Sequence, residues 1–216
     1  MALRVLVACE YSGTVSQAFR AEGHNVISCD LEPSPVSAHH YKGDVLRLIK
    51  CQKFDLMIAH PPCTWLAKAQ LHRQDSFSIT NRLAAFNFVH TLWNAPIPHI
   101  AIGNPIGWLN TAWMPPQQIV YANEFGSPYG KDICLWLKDL PPLITGYLSP
   151  GKKKVANHVN SRMSQAVKSK IKSKFFPEVA TAMAAQWTEK YLSTGKTAFP
   201  SPPVEIIPKL GRLASS

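Results

Sequence analysis

Short solid apolar runs alternate with longer amphipathic stretches along this chain. Leu3 to Ala8 (LRVLVA) is a β-branched run that predicts a buried strand, and it stops at Cys9-Glu10-Tyr11-Ser12-Gly13-Thr14. Val15 to Ala21 predicts a helix closed near Gly23, and Asn25 to Cys29 a second strand followed by Asp30. Strand, small-residue turn, helix, strand and acid is the βαβ pattern of a nucleotide-binding sheet. Residues 32–43 read as a Pro- and His-containing loop ending in Gly43-Asp44-Val45, with a short helix to about Lys50. Phe54 to Ala59 predicts a third strand, residues 64–78 a mobile polar loop anchored by Trp65, Leu66 and Phe77, and Thr80 to Trp93 an amphipathic helix. Leu83, Phe86, Val89 (or His90) and Trp93 supply that helix's apolar face. His99 to Ile102 predicts a strand ending in Gly103-Asn104-Pro105; residues 106–131 have weak periodicity; Ile133 to Leu137 predicts a further strand. Pro177 to Tyr191 predicts a helix with Val179, Met183, Ala184 and Trp187 on one face. The expected fold is α/β, a mostly parallel central sheet with helices on both faces. One domain is expected over residues 1–192, with a flexible Pro- and Ser-rich tail at 193–216.

Charge adds a feature that periodicity does not show. The chain carries a formal +10, and residues 151–175 hold eight of its 23 basic residues and no acid. Residues 144–175 therefore read as a basic insert. A local basic segment on a balanced body points to a polyanion, most simply nucleic acid; a solvated loop is the plain alternative. No apolar leader and no apolar run of about 18 residues stands in the sequence, so a cytoplasmic protein without a membrane span is expected. The five cysteines are widely spaced without a CxxC pair, and of the eight histidines only His39-His40 are adjacent. Neither a disulfide framework nor a metal site is expected.

The stretch DLMIAHPPCTWL carries the sharpest chemical signal. A strand ends in His60-Pro61-Pro62-Cys63, and two prolines stiffen the backbone there. Ligands of open α/β sheets bind at the carboxyl ends of strands. A thiol on a stiff turn in that place is a candidate nucleophile, with a buried structural cysteine as the alternative. Tyr11-Ser12-Gly13 lets a backbone approach a ligand, Asp30 is placed to accept from ribose hydroxyls, and Asp44 from an amino group. No GxGxxG is present, so these elements suggest a nucleoside pocket rather than a dinucleotide fold.

With those residues in view, the chain resembles the S-adenosylmethionine-dependent DNA cytosine-5 methyltransferases, in particular their short phage and prophage branch. The resembling stretches are VLVACEYSGTVSQAFRAEGH, SCDLEP, GDV, DLMIAHPPCTWLA, GNPIGWLN, EFGSPYGKDICLWLKDLPPL and PEVATAMAAQW, together covering roughly residues 3–190. The resemblance implies a Rossmann-like class I methyltransferase fold and S-adenosylmethionine as cofactor. It implies that Glu10, Tyr11, Ser12, Gly13, Asp30, Leu31, Asp44, Val45 and Pro61 line the cofactor pocket, and that Pro62-Cys63 is the catalytic element. DNA is the implied partner, with Lys131, Lys152, Lys153, Lys154, Arg162, Lys168 and Lys170 as candidate contacts.

Two departures qualify what is implied. The family has a Glu where this chain has Gly103, and glycine neither gives nor takes a proton; Asn104, next to it, remains a candidate donor to the base, which preserves recognition better than catalysis. General acid–base assistance is worth about 10²–10⁴-fold, so Asp75 and Glu124 come into consideration as substitutes. The room for a target-recognition region is also small, about 30 residues at 144–175. Three functions follow: methyl transfer to cytosine C5 through Cys63, a methyltransferase-like DNA-binding module without turnover, or an enzyme of another pyrimidine, a free nucleotide or an altered donor.

Overall fold

The structure is a computed structural model and describes residues 2–36, 39–127, 132–146 and 175–194. Most of the basic insert, with Lys152, Lys153, Lys154, Arg162, Lys168 and Lys170, lies outside the described residues, as do Lys131 and the tail from residue 195.

Seven strands form one sheet: β1 (Arg4–Ala8), β2 (Asn25–Asp30), β3 (His40–Lys42), β4 (Leu56–Ala59), β5 (His99–Asn104), β6 (Gln118–Tyr121) and β7 (Asp132–Lys138). Their order is β3-β2-β1-β4-β5-β7-β6. The first five are parallel, and β7 runs antiparallel between β5 and β6. This is a mostly parallel, Rossmann-like α/β sheet. Val5 to Ala8 of β1 and all of β4 are apolar because both faces are covered. Val5, Val7, Leu56 and Ile58 face α1 (Thr14–Ala21) and α5 (Pro177–Thr194), whereas Leu6, Ala8, Met57 and Ala59 face α2 (Val45–Cys51) and α3 (Ser76–Trp93). Among the described residues the single turn α4 (Leu109–Ala112) completes the α-helices. No helix of the described residues is long and apolar enough to cross a membrane.

Several expectations change in detail. β3 falls in a segment read as a loop and β6 in one read as weakly periodic; each has only three or four residues, too few for a period to register. α3 begins at Ser76 rather than Thr80, because Asp75 caps it, accepting from Ser78 N at 2.9 Å and from Ser78 Oγ at 2.7 Å. The inward stripe of α3 is Ser78, Arg82, Phe86, Val89, Leu92 and Trp93, and Leu83 is only half-buried. Gly103 and Asn104 are the last two residues of β5, paired with Leu135 and Cys134, rather than a loop after it. The expected face of the last helix, Val179, Met183, Ala184 and Trp187, is buried, but the helix runs to Thr194 and takes in the first two residues assigned to the tail.

His24 ties α5 to the start of the sheet. Its Nδ1 accepts from Leu3 N at 3.2 Å, and its Nε2 lies 2.6 Å from Thr188 Oγ1. An imidazole accepting at Nδ1 is neutral, and burial holds its pKa below the ordinary histidine range. His99 is shifted the same way by burial. The unfolded chain therefore binds protons that the folded chain refuses once the pH falls below about 6.5. Stability should be complete above that pH and should drop as the pH falls through it toward the folded values. We expect the urea midpoint to be lower at pH 5.5 than at pH 7.5, with a smaller difference in His24→Gln; equal midpoints would contradict this.

Candidate active site

The functional candidates gather at the carboxyl edge of the parallel strands. At the end of β1 the backbone turns through Cys9 at a positive φ of 58°, a conformation that costs an L-residue energy and that recurs at functional sites. Glu10 follows, 4% exposed; its two carboxylate oxygens accept from Val15 N at 2.6 Å and Ser16 N at 3.1 Å. Burial nonetheless raises its pKa. The carboxylate thus fills the amino-terminal end of α1, where an anionic ligand would otherwise bind. Gly13, at φ 76°, makes the left-handed entry into α1, a conformation that favours glycine. Ser12 Oγ lies 3.2 Å from Thr14 Oγ1, and Tyr11 is half-buried beside it in the chain.

Asp30 ends β2 and Asp44 precedes α2. Burial first, then the carboxylates of Asp30 and Asp44, push the Cys29 thiol up to about 12. The Cys9 thiol is also pushed strongly up, by burial, then Asp30, Cys29 and Asp44 in turn. The two acids therefore act on the same place, at the ends of β1 and β2. Each spends one oxygen locally: Asp30 Oδ1 accepts from Glu32 N and Asp44 Oδ1 from Leu46 N, both at 2.9 Å. Of the other cofactor candidates, Leu31 is exposed, and Val45, the first residue of α2, has its side chain buried in the core that α2 and α3 cover.

Cys63 stands on a turn pinned from several directions. Its carbonyl accepts from Leu66 N at 3.0 Å and Ala67 N at 2.9 Å, which closes a single helical turn. Before it, the carbonyl of buried Pro61 accepts from Asn104 Nδ2 at 2.9 Å. After it, Leu66 O accepts from Trp108 N at 2.7 Å, and Ala67 bridges to Gly107. A β-carbon on Gly107 would collide with Leu66 O, so glycine is required for this approach. Arg82, 6% exposed, supplies the last tie: Nη2 donates to Gln70 O at 2.9 Å and Arg73 O at 3.0 Å, and Nε to Trp65 O at 3.4 Å. Three of the five guanidinium donors are met by carbonyls, which is why a charged residue sits in the inward stripe of α3. The loop expected to be mobile is therefore fastened. Cys63 is half-buried and Pro62 exposed, so the thiol is neither sealed in the core nor fully open. Cys134, by contrast, is a buried thiol that accepts from Asn110 Nδ2 at 3.1 Å.

Gly103 and Asn104 complete the edge. Asn104 is 2% exposed, and its Oδ1 has no hydrogen-bond partner among the described residues. A β-carbon on Gly103 would stand 2.8 Å from His60 Nδ1 and 3.2 Å from His60 Cε1. The imidazole thus occupies the space a side chain at 103 would enter, and it lies against Phe175 with ring centroids 4.4 Å apart. Neither substitute acid stands out: Asp75 is committed to capping α3, and Glu124 is an exposed residue of a short helical turn at Ala122–Phe125. Sequence reasoning missed Arg82, which the apolar face as read did not include, and His60, passed over for the cysteine three residues on. Among the described residues, no group of three His, Cys, Asp or Glu is placed to hold a metal ion.

No protein-family model matches the chain, and no curated protein does either. Among solved structures it is similar to the Dnmt2 methyltransferase of S. pombe, at 17% sequence identity and a TM-score of 0.37. The similarity covers 62% of this chain and 50% of that one, so the chain spans about half the length of that neighbour.

Proposed function

We propose that this chain transfers a methyl group from S-adenosylmethionine to C5 of cytosine in DNA, with Cys63 as the covalent nucleophile. The observation that carries the reading is the Cys63 turn: a half-exposed thiol fastened at the carboxyl end of β4, beside the strand ends where Asp30 and Asp44 converge. The donor set suits this cofactor. Glu10 blocks the helix end that a dinucleotide's pyrophosphate would use, and two carboxylates favour a cationic ligand that carries ribose hydroxyls and an amino group. Tyr11, Ser12, Gly13, Asp30 and Asp44 would hold it. Bound there, S-adenosylmethionine supplies an electrophilic methyl group.

The protein's own task is to make cytosine C5 nucleophilic. Addition of the Cys63 thiolate to C6 does so, by converting an aromatic carbon to an enamine-like one. Asn104 and Arg82 fix the backbone on either side of the thiol, which limits the motion lost on reaching the base. The target base must leave a duplex stack first, and the run of basic residues from Lys152 to Lys174 suits the backbone that flanks it.

Calorimetry followed by labelled-methyl transfer to DNA tests the reading. S-adenosylmethionine and its demethylated product should both bind, NAD should not, and Asp30→Ala should weaken the binding about tenfold or more, as loss of a charged hydrogen-bond acceptor does. Failure to bind either compound would contradict it. Binding without methyl transfer to any DNA would favour the non-enzymatic binding module that Gly103 suggests.

A further inference from the structure

We propose that His60 is the proton donor to the target base, taking the place that Gly103 leaves empty; this rests on the cytosine chemistry proposed above. When a thiolate adds to C6 of cytosine, the electron pair displaced from the C5–C6 double bond runs through C4 to N3. A proton must reach N3 for the adduct to persist, and general acids of this kind contribute about 10²–10⁴-fold. The site must therefore hold a titratable group within reach of the base that Cys63 attacks.

Of the described acids, Glu10, Asp30, Asp44 and Asp75 are engaged or lie elsewhere, whereas Glu178, in the first turn of α5, keeps a buried Oε2 with no hydrogen-bond partner among the described residues. Both oxygens of Glu10 hold α1, Asp75 caps α3, and Asp30 and Asp44 lie toward β2 and β3. His60 differs on three counts. It lies on the same turn as Cys63, three residues before it. Its backbone is fixed by His60 N donating to Ala8 O at 3.0 Å. Its ring fills the first step of the path that a side chain from position 103 would follow, 2.8 Å from the β-carbon position, and rests on Phe175. Glycine at 103 is thus matched by an imidazole from the neighbouring strand. Imidazole is the side chain that gives and takes protons near neutrality. The ionisable groups at the near ends of the elements packed around it are Glu10 after β1, Cys63 on its own turn, Asp132 at the start of β7 and Glu178 in the first turn of α5.

The step balances within the protein and the base. The Cys63 sulfur–C6 bond forms, the imidazolium proton passes to N3, and C5 becomes able to exchange its hydrogen with water. On reversal the sulfur–C6 bond breaks, N3 returns its proton to the imidazole, and the thiolate is restored. Exchange at C5 consequently needs no methyl donor.

The test measures tritium release from mixed-sequence duplex DNA carrying 5-tritiated deoxycytidine, without cofactor, from pH 5.5 to 8.5. Wild-type protein should show a bell-shaped profile, rising with the thiolate and falling as the imidazolium is lost. His60→Ala and His60→Gln should each slow release about 100-fold. His60→Gln, which keeps a polar side chain of similar size, should lose the falling limb while its urea midpoint and S-adenosylmethionine affinity stay unchanged. Gly103→Glu with His60→Ala should recover part of the rate, because the cleared space admits the carboxylate. Wild-type rates and profile in both His60 variants would overturn the inference and leave the Cys63 chemistry standing. No release by wild-type protein would instead overturn the Cys63 adduct, and this inference with it.

Discussion

Cys63→Ala is expected to abolish methyl transfer to DNA while leaving the fold and the affinity for S-adenosylmethionine unchanged. Among the described residues the thiol makes no hydrogen bond on which the turn depends; the turn is held by the Cys63 carbonyl, by Asn104, by Trp108 N and by Arg82. Alanine therefore preserves the backbone and removes only the nucleophile. Without an adduct at C6, C5 is a poor acceptor of a methyl group, and the covalent route is closed rather than slowed. Labelled-methyl transfer should fall to background, with the calorimetric isotherm for the cofactor superimposable on that of wild type. Undiminished transfer would show that Cys63 is a structural cysteine after all.

The second large effect is at Asn104, where two substitutions should rank in a definite order. Asn104→Ala deletes the donor to Pro61 O and leaves a buried carbonyl unpaired, a loss of about 1–3 kcal/mol. Asn104→Asp is nearly the same size but sets a carboxylate oxygen where the amide now donates, 2.9 Å from a carbonyl oxygen, at a residue that is 2% exposed. An uncompensated buried charge costs about 3–5 kcal/mol. Against a typical total stability of about 5–15 kcal/mol, that is a large fraction. Urea unfolding at pH 7.5 should give the order wild type, then Ala, then Asp, and the Asp variant should recover as the pH is lowered and the carboxyl takes up a proton. If Asp proved more stable than Ala at pH 7.5, Asn104 would not be donating to Pro61.

How far the sequence led depended on how local each cause is. Val5 to Ala8 and Leu56 to Ala59 are continuous apolar runs because both faces of those strands are buried, and such runs read directly as strands. The turn at Gly13 and the acids at Asp30 and Asp44 follow the strand ends, so their position at one edge was legible too. Arg82 was not: its burial depends on carbonyls of residues 65, 70 and 73, which come together only when the loop folds back on α3. Asp75 was open to reading as a helix cap, but Phe77 and Ile79 exposed on the first turn of α3 masked the helical period. Gly103 read as a missing acid. That an imidazole from β4's end fills its place is a contact across two strands, with no trace in the spacing of either. The requirement for glycine at 107 is equally nonlocal, set by the carbonyl of Leu66.

The central claim, that Cys63 attacks cytosine, is tested most directly by mapping a trapped adduct. Fluorine at C5 cannot leave as a proton does, so a methylated adduct on 5-fluorocytosine DNA should persist. Protein incubated with such DNA and S-adenosylmethionine, then digested and analysed by mass spectrometry, should show the nucleotide joined to the peptide that contains Cys63 and to none containing Cys9, Cys29, Cys51 or Cys134. Attachment at another cysteine, or no covalent complex although the cofactor binds, would contradict the proposed chemistry.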